Sequence, residues 1–429
     1  MSNLEENYTT LISKELLIIL LGLSNIEIIE ISLKTNRELH IYVKSQKNGC
    51  SCHRCGKAID NYYGTGQEVT LRHLDVFDYK TYIHIKSKRY YCPTCEGRPT
   101  TTQILDWYRA KSKYTKAYEE SILLSLINST IQDVCLKHEI GYDAIEGILD
   151  NYYKTTTDWE SIKTLKIIGI DEISLKKGHK NFVTIISAYI DKKLTVLAVL
   201  NGRTKEIVKA FFMSIPKRLR KTVAAVCSDL CKSFIGAAKE VFGRKTLIIA
   251  DRFHVAKLYR DSLDSLRKKE MKRLKKELSK EDYKKLEGVM WLLRKPFDKL
   301  SDDERRILNR LFVLSPKIRE AYELCSRLTV IYNSQLMPGQ AKRKIKGWMR
   351  RVKNTELNCF DSFLKTLEAN MELITNYFVN RHTSGFVEGL NNKIKVIKRR
   401  CYGMTNISRL FQRICLDLDG YSLLLKSTT

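Results

Sequence analysis

The sequence predicts an α/β fold, and three features carry that prediction. Apolar runs of strand length stand at Leu165–Asp171, Phe182–Tyr189 and Leu194–Val199 with no helical spacing between them. Helix and strand then alternate: helix Lys205–Met213, strand Val223–Cys227, helix Phe234–Phe242, strand Thr246–Ile249. After Val255 the strand patterns stop, and a Lys/Glu/Leu-rich stretch that includes Leu266–Leu278 keeps amphipathic helical spacing to about Asn380. Three successive strands followed by alternating helix and strand is the chain order of a ribonuclease-H-like domain. The all-helical block reads as an insertion within it.

Ahead of that domain lies a smaller, β-rich one. Residues near 26–47, including Ile26–Leu33 and Leu39–Val43, alternate apolar and polar as half-buried strands do. Cys50-Ser-Cys52-His-Arg-Cys55, further alternating stretches such as Thr81–Ile85, and Cys92-Pro-Thr-Cys95 follow. Cys52, Cys55, Cys92 and Cys95 form two Cys-x-x-Cys pairs, the arrangement that fills a closed tetrahedral Zn²⁺ shell, structural rather than catalytic. Cys50 and His53 stand near enough to be alternative ligands.

Helical spacing begins near Tyr114. Ile131–Leu136 and Glu139–Leu149 have the spacing of two short helices joined by a tight turn that holds Gly141. That is either a helix-turn-helix able to set its second helix in a DNA groove or an ordinary helical pair. The second helix carries Asp143, Glu146 and Asp150 without a compensating Arg.

Composition narrows the partners. Lys and Arg number 76 against 48 Asp and Glu, a net charge of +28 spread through every segment of the 429 residues. Such a surface attracts polyanions because neutralising phosphates releases counterions, and nucleic acid is favoured over an anionic membrane. No run approaches the ~18–20 uncharged apolar residues that span a bilayer. The apolar run Leu16–Leu23 follows Glu5, Glu6 and Glu15 and lacks a small-residue cleavage site. A cytoplasmic, nucleoid-associated protein with no membrane partner is expected, and in that reducing compartment paired cysteines point to metal rather than disulfides.

The acidic residues carry the chemistry. Asp171 closes the first strand, Asp229 follows the fourth, and Glu388 stands far downstream in a basic helix. A lone strand-end Asp is usually a cap. On the first and fourth strands of one sheet, however, two such residues converge and make an all-oxygen site suited to Mg²⁺ or Mn²⁺, and two such ions can drive an in-line phosphoryl displacement. Asp251-Arg-Phe-His254 ends the fifth strand, as an accessory site or a polar cap. In Ser384-Gly-Phe-Val-Glu388-Gly-Leu-Asn391-Asn-Lys393-Ile-Lys395-Val-Ile-Lys398-Arg399-Arg400, the Glu is placed to ligate metal. Asn391, Lys393, Lys395, Lys398, Arg399 and Arg400 are placed to contact DNA backbone.

Ile168-Gly-Ile-Asp-Glu172, Ala250-Asp-Arg-Phe-His-Val255 and Ser384–Lys395, behind a Cys-pair module and a helix-turn-helix, strongly resemble the bacterial insertion-sequence transposases of the ISL-three family. The resemblance covers nearly the whole chain. It implies a DDE transposase with Asp171, Asp229 and Glu388 at the acidic positions, an all-helical insertion before the Glu and an N-terminal zinc domain. Asp251-x-x-His254 looks like the Asp/Cys-x-x-His signature of several transposase families. The chain departs from the family pattern at Asp229-Leu-Cys231, where Asp-Met-Trp is common, and after Cys95, where Glu96-Gly-Arg-Pro replaces a basic and aromatic continuation.

The expected organisation is an N-terminal helix and strands (1–48), a zinc-binding domain (49–110), a helix-turn-helix (111–160), a ribonuclease-H-like catalytic domain (161–255 with 381–429) and a helical insertion (256–380). The expected function is binding of terminal inverted repeats, then metal-dependent strand cleavage and transfer into target DNA, by a dimer on paired ends. A nuclease without strand transfer and a non-catalytic DNA-binding regulator are the rival readings.

Overall fold

The computed structural model describes residues 14–175, 182–191, 193–381, 385–401 and 405–425, without the side chains of 385–388 and 391. The chain divides into two compact units. One comprises residues up to Tyr153 with those from Asp419 onward; the other is Lys154–Leu418.

In the first unit, α1 (Lys14–Leu21) leads to β1 (Ile26–Lys34), β2 (Glu38–Ser45), the short pair β3 (Cys50–Ser51) and β4 (Ala58–Ile59), then β5 (Tyr62–Arg72), β6 (Lys80–Tyr91) and β7 (Thr100–Thr102). The larger sheet runs β1-β2-β6-β5, with β7 also on β6; β2 and β6 are parallel and the other pairs antiparallel. Period-2 alternation sends Leu39, Ile41, Val43, Ile83 and Ile85 into the core. The intervening His40, Tyr42, Tyr82 and His84 stack on the other face.

Three helices complete this unit: α2 (Lys116–Leu126), α3 (Ile131–His138) and α4 (Tyr142–Tyr152). Thr115 and Thr130 cap the first two through their hydroxyls. Glu139 closes α3 in the left-handed region and Gly141 opens α4, so the tight turn anticipated there is present.

The second unit contains β8 (Ile167–Ser174), β9 (Phe182–Ile190), β10 (Lys193–Asn201), α5 (Lys205–Ser214), α6 (Lys217–Arg220), β11 (Ala225–Ser228), α7 (Lys232–Phe242) and β12 (Leu247–Ala250). Each strand expected from its apolar run is present, with ends shifted by up to three residues; β8 runs on to Ser174, so Asp171 lies within it rather than closing it. The sheet order is β10-β9-β8-β11-β12. The β9 pairings are antiparallel, and β8–β11 and β11–β12 are parallel. Ile168, Ile170, Val226 and Ile248 pack on α5 and α7 through Phe212 and Phe234.

The opposite face is also covered, as near-continuous apolar strands require. Ala225, Cys227 and Ile249 join the core of the helical block, while Ile173, Val183 and Ile185 meet the last two helices. That block starts with α8 (Arg252–Glu277), a single 26-residue helix whose second half holds the stretch from Leu266, with Leu278 as its C-cap. It continues through α9 (Lys280–Lys284), α10 (Val289–Leu292), α11 (Asp302–Leu314), α12 (Pro316–Asn333), α13 (Pro338–Lys353), α14 (Asp361–Thr375) and α15 (Tyr377–Asn380). The chain then forms α16 (Gly385–Arg400) and α17 (Ile407–Leu424). Among the described residues no helix is long and apolar enough to cross a membrane.

Candidate active site and zinc centre

Two turns present the thiols. Cys52 and Cys55 lie between β3 and β4, Cys92 and Cys95 between β6 and β7. The first turn closes through Gly56 N–H to Cys52 O at 2.9 Å, with Gly56 at φ +71°, where a side chain is strained. Sγ–Sγ distances are 4.0 Å for Cys52–Cys95 and 3.8 Å for Cys55–Cys92, and all four sulfurs lie within 4.8 Å of one another. Zn–S bonds of about 2.3 Å in a tetrahedron require sulfurs about 3.8 Å apart, so the donor set fits zinc. The Thr94 hydroxyl draws the Cys92 thiol down to about 6, whereas Cys55 and Cys92 push Cys95 up to about 12. Crowded thiols cannot all ionise unless a cation stands among them. Cys50 and His53 are outside the cluster: Cys50 Sγ faces Thr101 O, and His53 Nδ1 lies 3.0 Å from Thr101 Oγ1.

The acids of the second unit fall in one row. Ser228 on β11 pairs with Ile170 on β8 and with Ala250 on β12. Asp171, Asp229 and Asp251 are the next residues on each, so three carboxylates emerge at one level from strands about 4.8 Å apart. Asp229 is the middle one. Alternation directs Asp171 away from Ile170 and toward the face that carries Ile173. Glu172 points the other way and is held by Arg203 at 3.1 Å, whose guanidinium covers Phe182. Of the consecutive acids in Ile-Asp-Glu, Glu172 is thereby committed to a surface ion pair.

One oxygen of each carboxylate is used locally. Asp171 Oδ1 accepts from Glu172 N, Asp229 Oδ1 from Cys231 N, and Asp251 Oδ1 from Phe253 N at 2.7 Å, the last as the N-cap of α8. The first turn of α8 then sets His254 Nε2 3.8 Å from Asp171 Oδ2 and 3.9 Å from Asp251 Oδ2. Asp171 foremost raises the His254 pKa, against the opposing effect of burial. Burial raises Asp229 to about 6, with Asp171 and Glu172 adding to the shift. The row is an acid-rich, oxygen-donor site in which positive charge relieves repulsion, and such donors suit a hard cation. Among the described residues the four cysteines are the one cluster of three or more donors within 4.8 Å of one another, so the acid row is open.

Glu388 lies on α16, and its side chain, like that of Asn391, is outside the described residues. The helix crosses the Asp171 face, with Leu390, Ile394 and Ile397 packed on Ile173, Val183 and Ile185. Lys398 Nζ donates to Ser174 O, Lys393 Nζ donates to Asp417 O, and Arg400 lies 3.6 Å from Asp417. Lys395 and Arg399 are exposed. Three of the five cations expected on DNA backbone are therefore occupied in fixing α16 and α17. Arg252 donates to Tyr377 OH and Asn333 Oδ1, and Arg381 to Tyr332 O, which ties the start of α8 to the segment entering α16.

A transposase family model of the ISL3 type matches residues 168–414, more than half the chain. The chain belongs to the ISL3 transposase family. Two further ISL3 models match ahead of it: the zinc finger of the transposases of IS204, IS1001, IS1096 and IS1165 at residues 48–95, and the helix-turn-helix of the family at residues 103–153. The transposase for insertion sequence element IS1001 of Bordetella parapertussis is 25% identical over 388 residues, 90% of this chain and 92% of the relative. The transposase for IS1557 of Mycobacterium tuberculosis is 21% identical over 391 residues, 86% of each.

Within this ISL3 chain, sequence patterns did not single out Arg203 or Arg252. Arg252 stands inside Asp-Arg-Phe-His, but its partners lie 81 and 125 residues away. Arg203 is separated from Glu172 by 31 residues. No local spacing signals either pairing.

Proposed function

We propose that this ISL3-family protein binds the terminal inverted repeats of its insertion sequence and catalyses metal-dependent DNA cleavage and strand transfer. The observation that carries the reading is the row of Asp171, Asp229 and Asp251 across three adjacent parallel strands, with the helix that bears Glu388 packed on the first of them. The β10-β9-β8-β11-β12 order supports a ribonuclease-H-like catalytic domain (161–255 with 381–429) interrupted by the helical insertion (256–380). Asp171, Asp229 and Glu388 would hold Mg²⁺ or Mn²⁺, which supplies activation of the attacking oxygen and stabilisation of the leaving oxygen.

His254, set between Asp171 and Asp251, is an accessory group that orients the acids and can donate to a phosphate. Asp251 fixes it by capping the same helical turn. The four cysteines would hold zinc that keeps the ribbon folded, while the helix-turn-helix (111–160) and the ribbon (49–110) contact the repeat, in a dimer on paired ends. The test is incubation of the full chain with a duplex carrying an inverted-repeat end and Mg²⁺ or Mn²⁺. Metal-dependent nicks, followed by products joined to target DNA, are expected. Metal-independent nicks, or nicking retained by Asp171→Asn, would overturn the reading.

A further inference from the structure

The helical block carries a surface that the active-site reading leaves unused. The sequence of α13 contains no acidic residue. Lys342, Lys346, Arg350 and Lys353 recur every three or four positions along one exposed stripe, and exposed Arg343, Lys344 and Arg351 flank it. The other side of the helix is fixed. Ala341, Ile345, Trp348 and Val352 are buried, Trp348 Nε1 donates to Leu324 O at 2.8 Å, and its ring meets Phe360 and Phe363 edge-on.

Among the described residues, Lys353 is the one cation of α13 with an acidic partner, Glu368 at 2.9 Å. Neighbouring helices carry acids of their own, one turn from some of their cations. On α8, Arg267 and Lys268 share Asp264, and Arg273 lies between Glu270 and Glu277. On α11, Arg305 and Arg306 are paired with Asp302 and Asp303. Like charges one turn apart repel. A stripe in which Lys342, Lys346 and Arg350 have no acidic partner among the described residues, on a rigid helix that carries no acid of its own, is built for a polyanion.

We infer that the exposed stripe of α13 is a sequence-independent site for the phosphate backbone of duplex DNA; the inference rests on the transposase reading above. Lys and Arg at helical spacing position a duplex but do not read it, and the Gln340 side chain is already used, accepting from Met337 N. From Lys342 to Lys353 the stripe is about 16 Å long, roughly five base-pair steps. The apolar residues between the cations are buried, which removes the anchor a membrane-surface helix needs. Because α14 packs on both α13 and β12, the stripe stands one helix layer from the strand that ends at Asp251.

The experiment measures binding of the full chain to a random-sequence duplex by fluorescence anisotropy between 50 and 200 mM salt. Each phosphate left without its cation flattens the log–log salt slope by about 0.9, so K342Q/K346Q/R350Q should flatten it by about 2.7 and shrink the affinity decrease over that range by about 40-fold. R305Q/R306Q/R310Q removes the same charge from ion-paired positions and should leave the slope unchanged. Melting curves check that both variants fold; should the triple fail to fold, K346Q alone should flatten the slope by about 0.9. Equal slopes for wild type and the α13 variant, or equal changes in both triples, would overturn the site. An unchanged DNA slope with abolished binding to phosphatidylserine vesicles would overturn it in favour of a membrane. Metal-dependent nicking without the slope change sinks this inference alone, and the slope change without nicking sinks only the enzymatic reading.

Discussion

Asp229→Asn should stabilise the metal-free protein while destroying its response to metal. Burial raises the Asp229 pKa from 3.8 to about 6, and at about 1.4 kcal/mol per pH unit the ionised carboxylate at neutral pH costs the fold about 3 kcal/mol. Because folding raises this pKa, the protonated form is the one the fold prefers. Its contribution is full below 3.8 and is lost as pH rises through about 6. Asn keeps an acceptor for Cys231 N–H but carries no charge, so in chelator at pH 7.5 the variant should melt higher, by up to about 5–10 °C for a unit of this size. Adding Mn²⁺ at about 100 times its dissociation constant should return about 2.7 kcal/mol to the wild type and little to the variant. Calorimetry or dye-monitored melting from pH 4 to 8, with and without Mn²⁺, makes the comparison. A variant that melts at or below the wild type in chelator, or an equal Mn²⁺ response in both proteins, would refute the argument that Asp229 is a buried, uncompensated metal ligand.

Further outcomes follow from the same geometry. Asp171→Asn and Glu388→Gln should each cut nicking by at least about 10²–10³-fold with DNA affinity retained, because each removes a charge that holds a hard cation; gel-based nicking beside anisotropy checks this. Asp251→Asn retains a helix cap and should slow nicking while Mn²⁺ still binds, and lost Mn²⁺ affinity there with normal affinity at Asp229→Asn would exchange the two roles. Cys55→Ser should lower bound zinc from one ion per chain to none and loosen the ribbon alone, which metal analysis and hydrogen exchange would register. His73, buried against the Thr115 cap of α2, is pushed down to about 4, chiefly by burial. Its lowered pKa means stability present above about 6.5 and lost as pH falls through 4, about 3 kcal/mol in all; His73→Gln should flatten the acid limb of an unfolding titration over that window.

Much of the second unit was legible because of how it is buried. Strands covered on both faces must be apolar along their length, so β8 to β12 announce themselves and their chain order follows. Each of the three aspartates interrupts such a run, and paired thiols at two-residue spacing are the mark of a metal site; these signals need no partner to be recognised. Tertiary structure decided the rest, because it turns on which distant side chains meet. Cys50 and His53 are separated from the cluster by Thr101, contributed by β7. Lys393, Lys398 and Arg400 look identical in sequence to Lys395 and Arg399, yet β8 and α17 claim the first three. His254 stands beside Asp171 because the parallel register aligns Asp171 with the ends of β11 and β12 and the Asp251 cap aims the next helical turn across them. That α13 has no acid one turn from its cations is visible in sequence, but only the fold buries Ile345, Trp348 and Val352 and so decides which of those cations reach solvent: charge is a property of the residue, but its exposure is a property of its neighbours.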